Sequence, residues 1–358
     1  MRLQPAEGQA DQWKAYLFYM GIEELQGHEE PTGHRRPLGV EHGEHVDRQS
    51  WLSNRKTHLE YLDGHEPDVV VVGAGQAGLT AAARLTQLSV DTLIVEKLDR
   101  VGASWRNRYD FLVLHDPVWY DHLPYQPFPP HWPVFTPKDR LADWLESYAQ
   151  NLELNVWCHT AIKSAEYDDA RGQWTLRVDR NGTERILKPK YVVVATGHSG
   201  EPNRPEFRGA ETFQGRIHHS SEPLHKEDFA GKKVVVIGSN NSGHDLAHFA
   251  YESGGKVTMV QRSTTYIMSS ESVVKILFEK IYCEDGPPVE DCDLLFNSTP
   301  NHVHFEQMTD VTRRCAQFDK ETLDGLQKAG FKLQWGPNNA GFLPLYFSVS
   351  ACSVQSTK

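Results

Sequence analysis

Two short glycine-rich stretches carry the residue types in this chain that are best placed to do chemistry. The first is Gly73-Ala74-Gly75-Gln76-Ala77-Gly78, with Glu96 set 23 positions after its first glycine. Gly73 permits a tight turn, Gly75 lets backbone approach a pyrophosphate, and Gly78 lets a following helix pack closely on the preceding strand. A helix that opens at such a turn offers unpaired N–H groups and the positive end of its dipole to phosphates. Glu96 stands where a carboxylate accepts hydrogen bonds from ribose hydroxyls. The second stretch is Gly238-Ser239-Asn240-Asn241-Ser242-Gly243, with Arg262 set 24 positions after its first glycine. A guanidinium in place of the acid suits a ribose 2′-phosphate, so this unit should prefer NADP to NAD. Asn240 takes the place of the middle glycine. Asparagine tolerates positive φ, but its side chain enters the space through which a pyrophosphate approaches.

The elements around both stretches fit that reading. Four valines at 69–72 predict a buried strand, the residues from Leu79 to Leu85 a helix, and Thr92-Leu93-Ile94-Val95 a second strand. The pattern recurs as a strand over 234–237, a helix over 245–251 and a strand over 257–260. Between the two units, Leu141, Trp144, Leu145, Tyr148 and Leu152 share one face of a helix predicted over 138–152. Alternating segments at 174–178 and 185–187, joined through Asn181-Gly182, predict a hairpin. A further buried strand at 191–195 is closed by Thr196-Gly197. The expected fold is therefore α/β: two dinucleotide-binding, Rossmann-like domains, the first interrupted by a β-meander. Residues 119–137 are too rich in proline and aromatic residues for a regular helix, and predict an ordered aromatic loop or a surface-covering one. Trp13, Tyr16, Leu17, Met20 and Glu24 predict an amphipathic helix over 13–25.

Composition narrows the classes. The chain has 358 residues, room for about two domains. A net charge of −11 without a long basic block argues against nucleic acid and anionic membranes as partners. Residues 1–12 hold no apolar core of the signal-peptide kind, and no apolar run reaches membrane-spanning length, so a cytoplasmic protein is expected. Five cysteines, the nearest pair nine apart, form neither a CxxC redox pair nor a zinc-ribbon spacing. The histidines of residues 28–65 read as loop histidines. His244-Asp245-Leu246-Ala247-His248 imitates HExxH, but Asp replaces Glu and the segment already opens a nucleotide-binding helix, so no metal is expected. Asn181-Gly182-Thr183 and Asn297-Ser298-Thr299 fit a glycosylation pattern that nothing else supports.

Further segments agree with a known family. Phe213-Gln214-Gly215-Arg216-Ile217-His218-His219 resembles the start of the FxGxxxH fingerprint of flavin-containing monooxygenases, with Pro223 where its final aromatic would fall. The residues from Val101 to Arg106 resemble that family's glycine–tryptophan segment. Ala195-Thr196-Gly197 resembles its ATG segment, and Asn241-Ser242-Gly243 its NADP turn. Over roughly residues 11–347 the chain is similar to class B flavin monooxygenases, especially the indole-pyruvate monooxygenase-like group.

The resemblance implies FAD on the first unit, held by Gly73, Gly75, Gln76, Ala77, Gly78, Glu96, Lys97, Trp105, Thr196 and Gly197. It implies NADPH on the second, held by Gly238, Asn240, Ser242, Gly243 and Arg262, with Asn241 and His115 as candidates beside the flavin ring. The implied reaction is NADPH-dependent insertion of one oxygen atom from O2 into a small organic substrate through a flavin C4a-hydroperoxide. The expected layout is an N-terminal extension over 1–65, an FAD domain over 66–208, an NADP domain over 209–330 and an aberrant segment over 331–358. Because the family's usual return to the FAD domain is replaced by a short polar end, the FAD domain is expected to be incomplete and to expose a sheet edge. Two alternatives stand beside the monooxygenase: a remnant that binds nucleotide without turnover, and a flavin disulphide reductase, which the cysteine spacing disfavours.

Overall fold

A computed structural model describes residues 2–6, 9–39, 42–197 and 200–341. The expected aberrant end therefore lies largely outside the described residues, as does Cys352. The chain opens with an antiparallel hairpin, β1 (Arg2–Ala6) and β2 (Gln9–Leu17), where the sequence predicts the start of a helix over 13–25. Residues 18–25 form neither helix nor strand. Trp13, Phe18, Met20 and Ile22 are all more than half exposed. A helix of that length without a face to bury is marginal, which explains the failure of the periodicity.

Helix α1 (Trp51–Glu60) follows, capped at its start by Ser50. The first dinucleotide unit is β3 (Val69–Val72), α2 (Gln76–Gln87) and β4 (Thr92–Val95). After it come the short helix α3 (Ala103–Arg106), α4 (Lys138–Asn151) and β5 (Asn155–Trp157). An antiparallel meander of β6 (Thr160–Asp168), β7 (Gln173–Arg180) and β8 (Thr183–Leu187) is inserted before β9 (Tyr191–Val194). Asn181 and Gly182 both have positive φ, 52° and 79°, as the expected two-residue hairpin turn requires.

The parallel sheet runs β5-β4-β3-β9. Val71 pairs with Ile94 on one side and Val193 on the other. Its two faces explain the unbroken valine run. Val69, Val71 and Ile94 pack against Leu79 and Ala82 of α2 and Leu141 and Leu145 of α4. Val70, Leu93 and Val95 pack against Leu176, Val178 and Leu187 of the meander. Each wholly buried leucine or valine here contributes about 1.5–3 kcal/mol relative to exposure.

The second unit is smaller: β10 (Lys233–Ile237), α5 (Asn241–Glu252) and β11 (Lys256–Val260), with the two strands parallel. One face of this pair packs on Leu246 and Ala250 of α5 through Val234 and Val257. On the strands' other side Val235 and Ile237 are about 60 % exposed, and on β9 Val194 is 75 % exposed. Beyond β11, Thr265 bridges Leu333, and the Gln261 side chain bonds both backbone groups of Lys332, so the chain near 332 lies against the second unit. Helices Val289–Asn297, Asn301–Phe318 and Lys320–Lys328 follow the second unit, and Cys292 and Phe296 of the first of them join Val273, Phe278 and Tyr282 in a cluster. The aromatic loop over 119–137 is packed: Tyr120 stacks on Phe278, and Phe128 and Trp132 cover Trp144 of α4. No helix among the described residues is long and apolar enough to cross a membrane.

Candidate cofactor-binding site

The first glycine turn is shaped by two contacts and one space. Gly73 has φ +107°, and a Cβ there would lie 2.6 Å from the Ala195 carbonyl oxygen. A Cβ on Gly78 would lie 1.9 Å from the Gly73 carbonyl oxygen. Both positions are closed to side chains by the protein's own backbone. Gly75 is the opposite case: it has ordinary φ of −79°, and a Cβ there meets nothing within 4 Å. Nothing among the described residues requires glycine at 75, so the open volume above it is available to a ligand. Gly75 caps α2 without a side-chain bond, and Gln76 and Ala77 are exposed in its first turn. The helix start therefore presents unspent N–H groups beside that volume.

Glu96 stands at the end of β4, where the spacing predicts it. Its Oε2 accepts the Ala74 N–H at 2.8 Å, and Oε1 accepts the Leu98 N–H at 2.9 Å. The carboxylate is thus fixed against the glycine turn, with lone pairs left over for hydroxyl donors. Lys97 pairs with Glu201 at 2.6 Å on the surface. Thr196 and Gly197 follow β9 beside Ala195, which walls the Gly73 turn. Gly102, with φ +80°, allows α4 to approach closely, because a Cβ there would lie 2.6 Å from the Ala142 carbonyl oxygen. Arg106 then ties α3 to Asp143 and Glu146 of α4.

The second turn repeats the first in backbone terms. Gly238 has φ +118°, and a Cβ on Gly243 would lie 2.4 Å from the Gly238 carbonyl oxygen. Asn240 caps α5 at φ −94° and ψ −178°, close to the −79° and −178° of Gly75. Its tolerance of positive φ is therefore not needed, contrary to the sequence expectation. Its side chain makes no capping bond, so the α5 N–H groups also remain unspent. Asn241 and Arg262 are both exposed, Asn241 opening α5 and Arg262 just past the end of β11.

The segment after α3 joins the two units. Trp105 packs on the first core and on a cluster formed by Tyr109, Leu112, Leu224, Leu246 and Ala250. The buried Tyr109 donates its hydroxyl to Asp245 Oδ2 at 2.7 Å, and His115 Nε2 lies 3.1 Å from Asp245 Oδ1. Burial, and then the Asp245 charge, push the Tyr109 phenol up. The hydrogen bond to Asp245 raises His115 against the opposing effect of burial. Arg108 reaches Ser242 Oγ at 3.5 Å, and its Nε is shielded from solvent without a hydrogen-bond partner. His219, in the fingerprint stretch, bonds Ser221 Oγ at 2.8 Å; burial first, then Arg204 and Arg108, lower its basicity.

Arg108, Tyr109 and Asp245 are residues that sequence reasoning missed as site members. The only signal was the His244–His248 stretch, which drew attention to metal chemistry. In the structure His244 lies beside Phe331, and His248 pairs with Glu252 on the surface. Among the described residues no three His, Cys, Asp or Glu side chains converge on a metal position.

Residues 70–278 match the family described as pyridine nucleotide-disulphide oxidoreductase. The chain belongs to this family. The match covers both glycine turns and ends in the cluster beyond β11. Over 206 residues the chain is 38 % identical to indole-3-pyruvate monooxygenase YUCCA1 of Oryza sativa subsp. japonica, covering 57 % of this chain and 50 % of that protein. It is 36 % identical over 211 residues to probable indole-3-pyruvate monooxygenase YUCCA9 of Arabidopsis thaliana, with 58 % and 50 % covered. The chain thus spans about half the length of these relatives. Among solved structures, a flavin monooxygenase from Stenotrophomonas maltophilia aligns with TM-score 0.51 at 26 % identity, covering 65 % of this chain and 69 % of that one. An oxidised steroid monooxygenase bound to NADP aligns with TM-score 0.50 at 29 % identity, covering 57 % and 40 %. Within the pyridine nucleotide-disulphide oxidoreductases, these similarities support the class B flavin monooxygenase resemblance read from the sequence. The four described cysteines, Cys158, Cys283, Cys292 and Cys315, are free.

Proposed function

We propose that this pyridine nucleotide-disulphide oxidoreductase family member acts as an NADPH-dependent flavin monooxygenase, with FAD on the first glycine turn and NADPH on the second. The observation that carries the reading is the matched pair of turns. Each opens a helix whose first N–H groups are unspent, and each is followed by a strand ending in an acid on one unit and a cation on the other. The residues fit the cofactors: the volume over Gly75 suits a pyrophosphate, and Glu96 suits a ribose. FAD, when bound, supplies hydride acceptance from NADPH and the reaction with O2.

The chain's own residues bind and position. The α2 start and Glu96 hold the first nucleotide, and the α5 start with Arg262 reads the 2′-phosphate of the second. Asn241 opens α5 at the second turn, and His115 is held to the same helix through Asp245. Trp105 and the buried Tyr109 pack between the two units. The substrate is a small organic molecule, oxygenated at the expense of O2. The family layout, FAD domain over 66–208 and NADP domain over 209–330, is part of this reading, as is a cytoplasmic location. The absence of a CxxC pair from the sequence speaks against dithiol chemistry.

The test is to reconstitute the full chain with FAD, add NADPH under air, and follow flavin reduction, oxygen uptake and the organic product. Reduction coupled to oxygenation of an added carbonyl, amine or sulphide compound supports the reading. Nucleotide binding without flavin reduction would instead assign a protein that binds without turnover.

A further inference from the structure

Among the described residues, Asp245 is the one carboxylate through which the NADP-side helix and the FAD-side segment are joined by two side chains at once. It stands on α5, one turn beyond Asn241, and its side chain is 22 % exposed. Tyr109 and His115 both come from the segment after α3 and take separate oxygens of the same carboxylate. Resting on the function proposed above, we propose that Asp245 is a positioning residue of the NADPH site, fixing His115 and Tyr109 of the FAD-side segment against α5.

The geometry gives each partner a defined state. The phenol of Tyr109 is held neutral as a donor to the carboxylate. The imidazole of His115 is favoured in its charged form, which places a cation near the start of a helix that would receive an anionic dinucleotide. The charged and titratable groups that act on His115 are Asp245 and His244 on α5 and Asp116 on its own segment; Tyr109 takes the other oxygen of Asp245, and Arg108 lies over the Tyr109 ring. Of these, Asp245 makes the hydrogen bond and Asp116 adds only a Coulombic contribution. Because the folded value is raised, the stabilisation from this bond is full below the ordinary imidazole value of about 6.5 and fades as pH rises through the raised value.

The experiment uses full-length chain with FAD and histidine-labelled protein, comparing wild type with Asp245→Asn and Asp245→Glu. In wild type the His115 ring resonances should titrate above the ordinary histidine range. In Asp245→Asn they should titrate at lower pH, and Asp245→Glu should recover the wild-type order. In steady state, KM for NADPH should rise about fivefold in Asp245→Asn, the factor carried by one ordinary hydrogen bond. Its pH dependence in the His115 range should flatten, with kcat changed less. An unchanged His115 titration in a folded Asp245→Asn protein overturns the proposal, and so does an unchanged KM profile. If wild type oxidises no NADPH, the monooxygenase reading fails, and the His115 titration together with the affinity for NADPH, in place of KM, decides the role of Asp245.

Discussion

Gly75→Val should separate folding from cofactor binding. The position has φ −79°, and an added Cβ meets no atom within 4 Å, so the valine side chain starts in open space at an ordinary backbone conformation. Valine is a poorer helix N-cap than glycine, at about 0.5–1 kcal/mol. It also restricts the unfolded chain, a gain of about 0.4–1 kcal/mol. These effects nearly cancel, so the melting temperature of the apoprotein should stay within a few degrees of wild type. FAD is affected differently, because the isopropyl group fills the volume over the turn and holds a pyrophosphate off the α2 start. Losing two charge-assisted hydrogen bonds there costs about 3–6 kcal/mol, or roughly two to four orders of magnitude in affinity. The assay is flavin content after reconstitution, with fluorescence titration of FAD and a thermal melt of both proteins. Stoichiometric FAD in a folded Gly75→Val protein would refute the assignment of this turn. Gly78→Ala is the control: its Cβ would fall 1.9 Å from the Gly73 carbonyl oxygen. That change should destabilise the apoprotein itself, by about 1–3 kcal/mol.

Arg262→Ala should lower the preference for NADPH over NADH by about 1.5–3 kcal/mol, the value of a charge-assisted hydrogen bond; equal preference in both proteins would place 2′-phosphate recognition elsewhere. Asp121 has one oxygen shielded without a hydrogen-bond partner, and burial, with Asp116 adding to it, pushes its carboxyl up to about 8. A raised carboxyl favours the folded state at low pH and loses that advantage as pH rises from its unfolded value near 4 through about 8. Melting temperature should therefore fall over that window by about 1 °C or more, the equivalent of 1 kcal/mol in a chain of this size, and Asp121→Asn should flatten the slope. Arg180 holds Glu60 of α1 through bonds of 2.7 and 2.9 Å and lies 4.2 Å from the Trp157 ring. Arg180→Ala should cost about 1–3 kcal/mol in urea unfolding and loosen α1 from the meander; an unchanged midpoint would show that α1 is held by other contacts.

The glycine turns were legible because each residue answers a local demand. Gly73 needs a positive φ, Gly78 a missing side chain, and Gly75 an open approach, so the same three-residue logic reappears in space. The Asn181-Gly182 turn and the two-faced valine strand were legible for a similar reason, since turn chemistry and burial act over a few residues. Periodicity failed at 13–25 because helical spacing states only what a helix could bury. Exposed Trp13 and Met20 show that no surface receives it. Asp245 could not be read as a link between the units, because its partner His115 lies 130 residues away. A local reading saw only two nearby histidines, and in the structure these point to different surroundings.

The wall behind Gly73 has a consequence for how the protein is made. The first nucleotide turn looks local, yet the Ala195 carbonyl that encloses it belongs to the strand paired on the far side of β3, across the inserted meander. Residues 69–96 therefore leave the ribosome well before their cradle is finished. At about 5–20 residues per second, the missing wall arrives on the order of ten seconds later. Until then the valine strand lacks a neighbour and the turn lacks the contact that holds its unusual backbone. The loop to be closed carries an entropic cost that grows only logarithmically with length, so the delay is one of synthesis rather than of stability. A nascent chain arrested before residue 195 should then be a poor FAD trap, and one released past it a competent candidate, which makes cofactor capture a late event in the assembly of this fold.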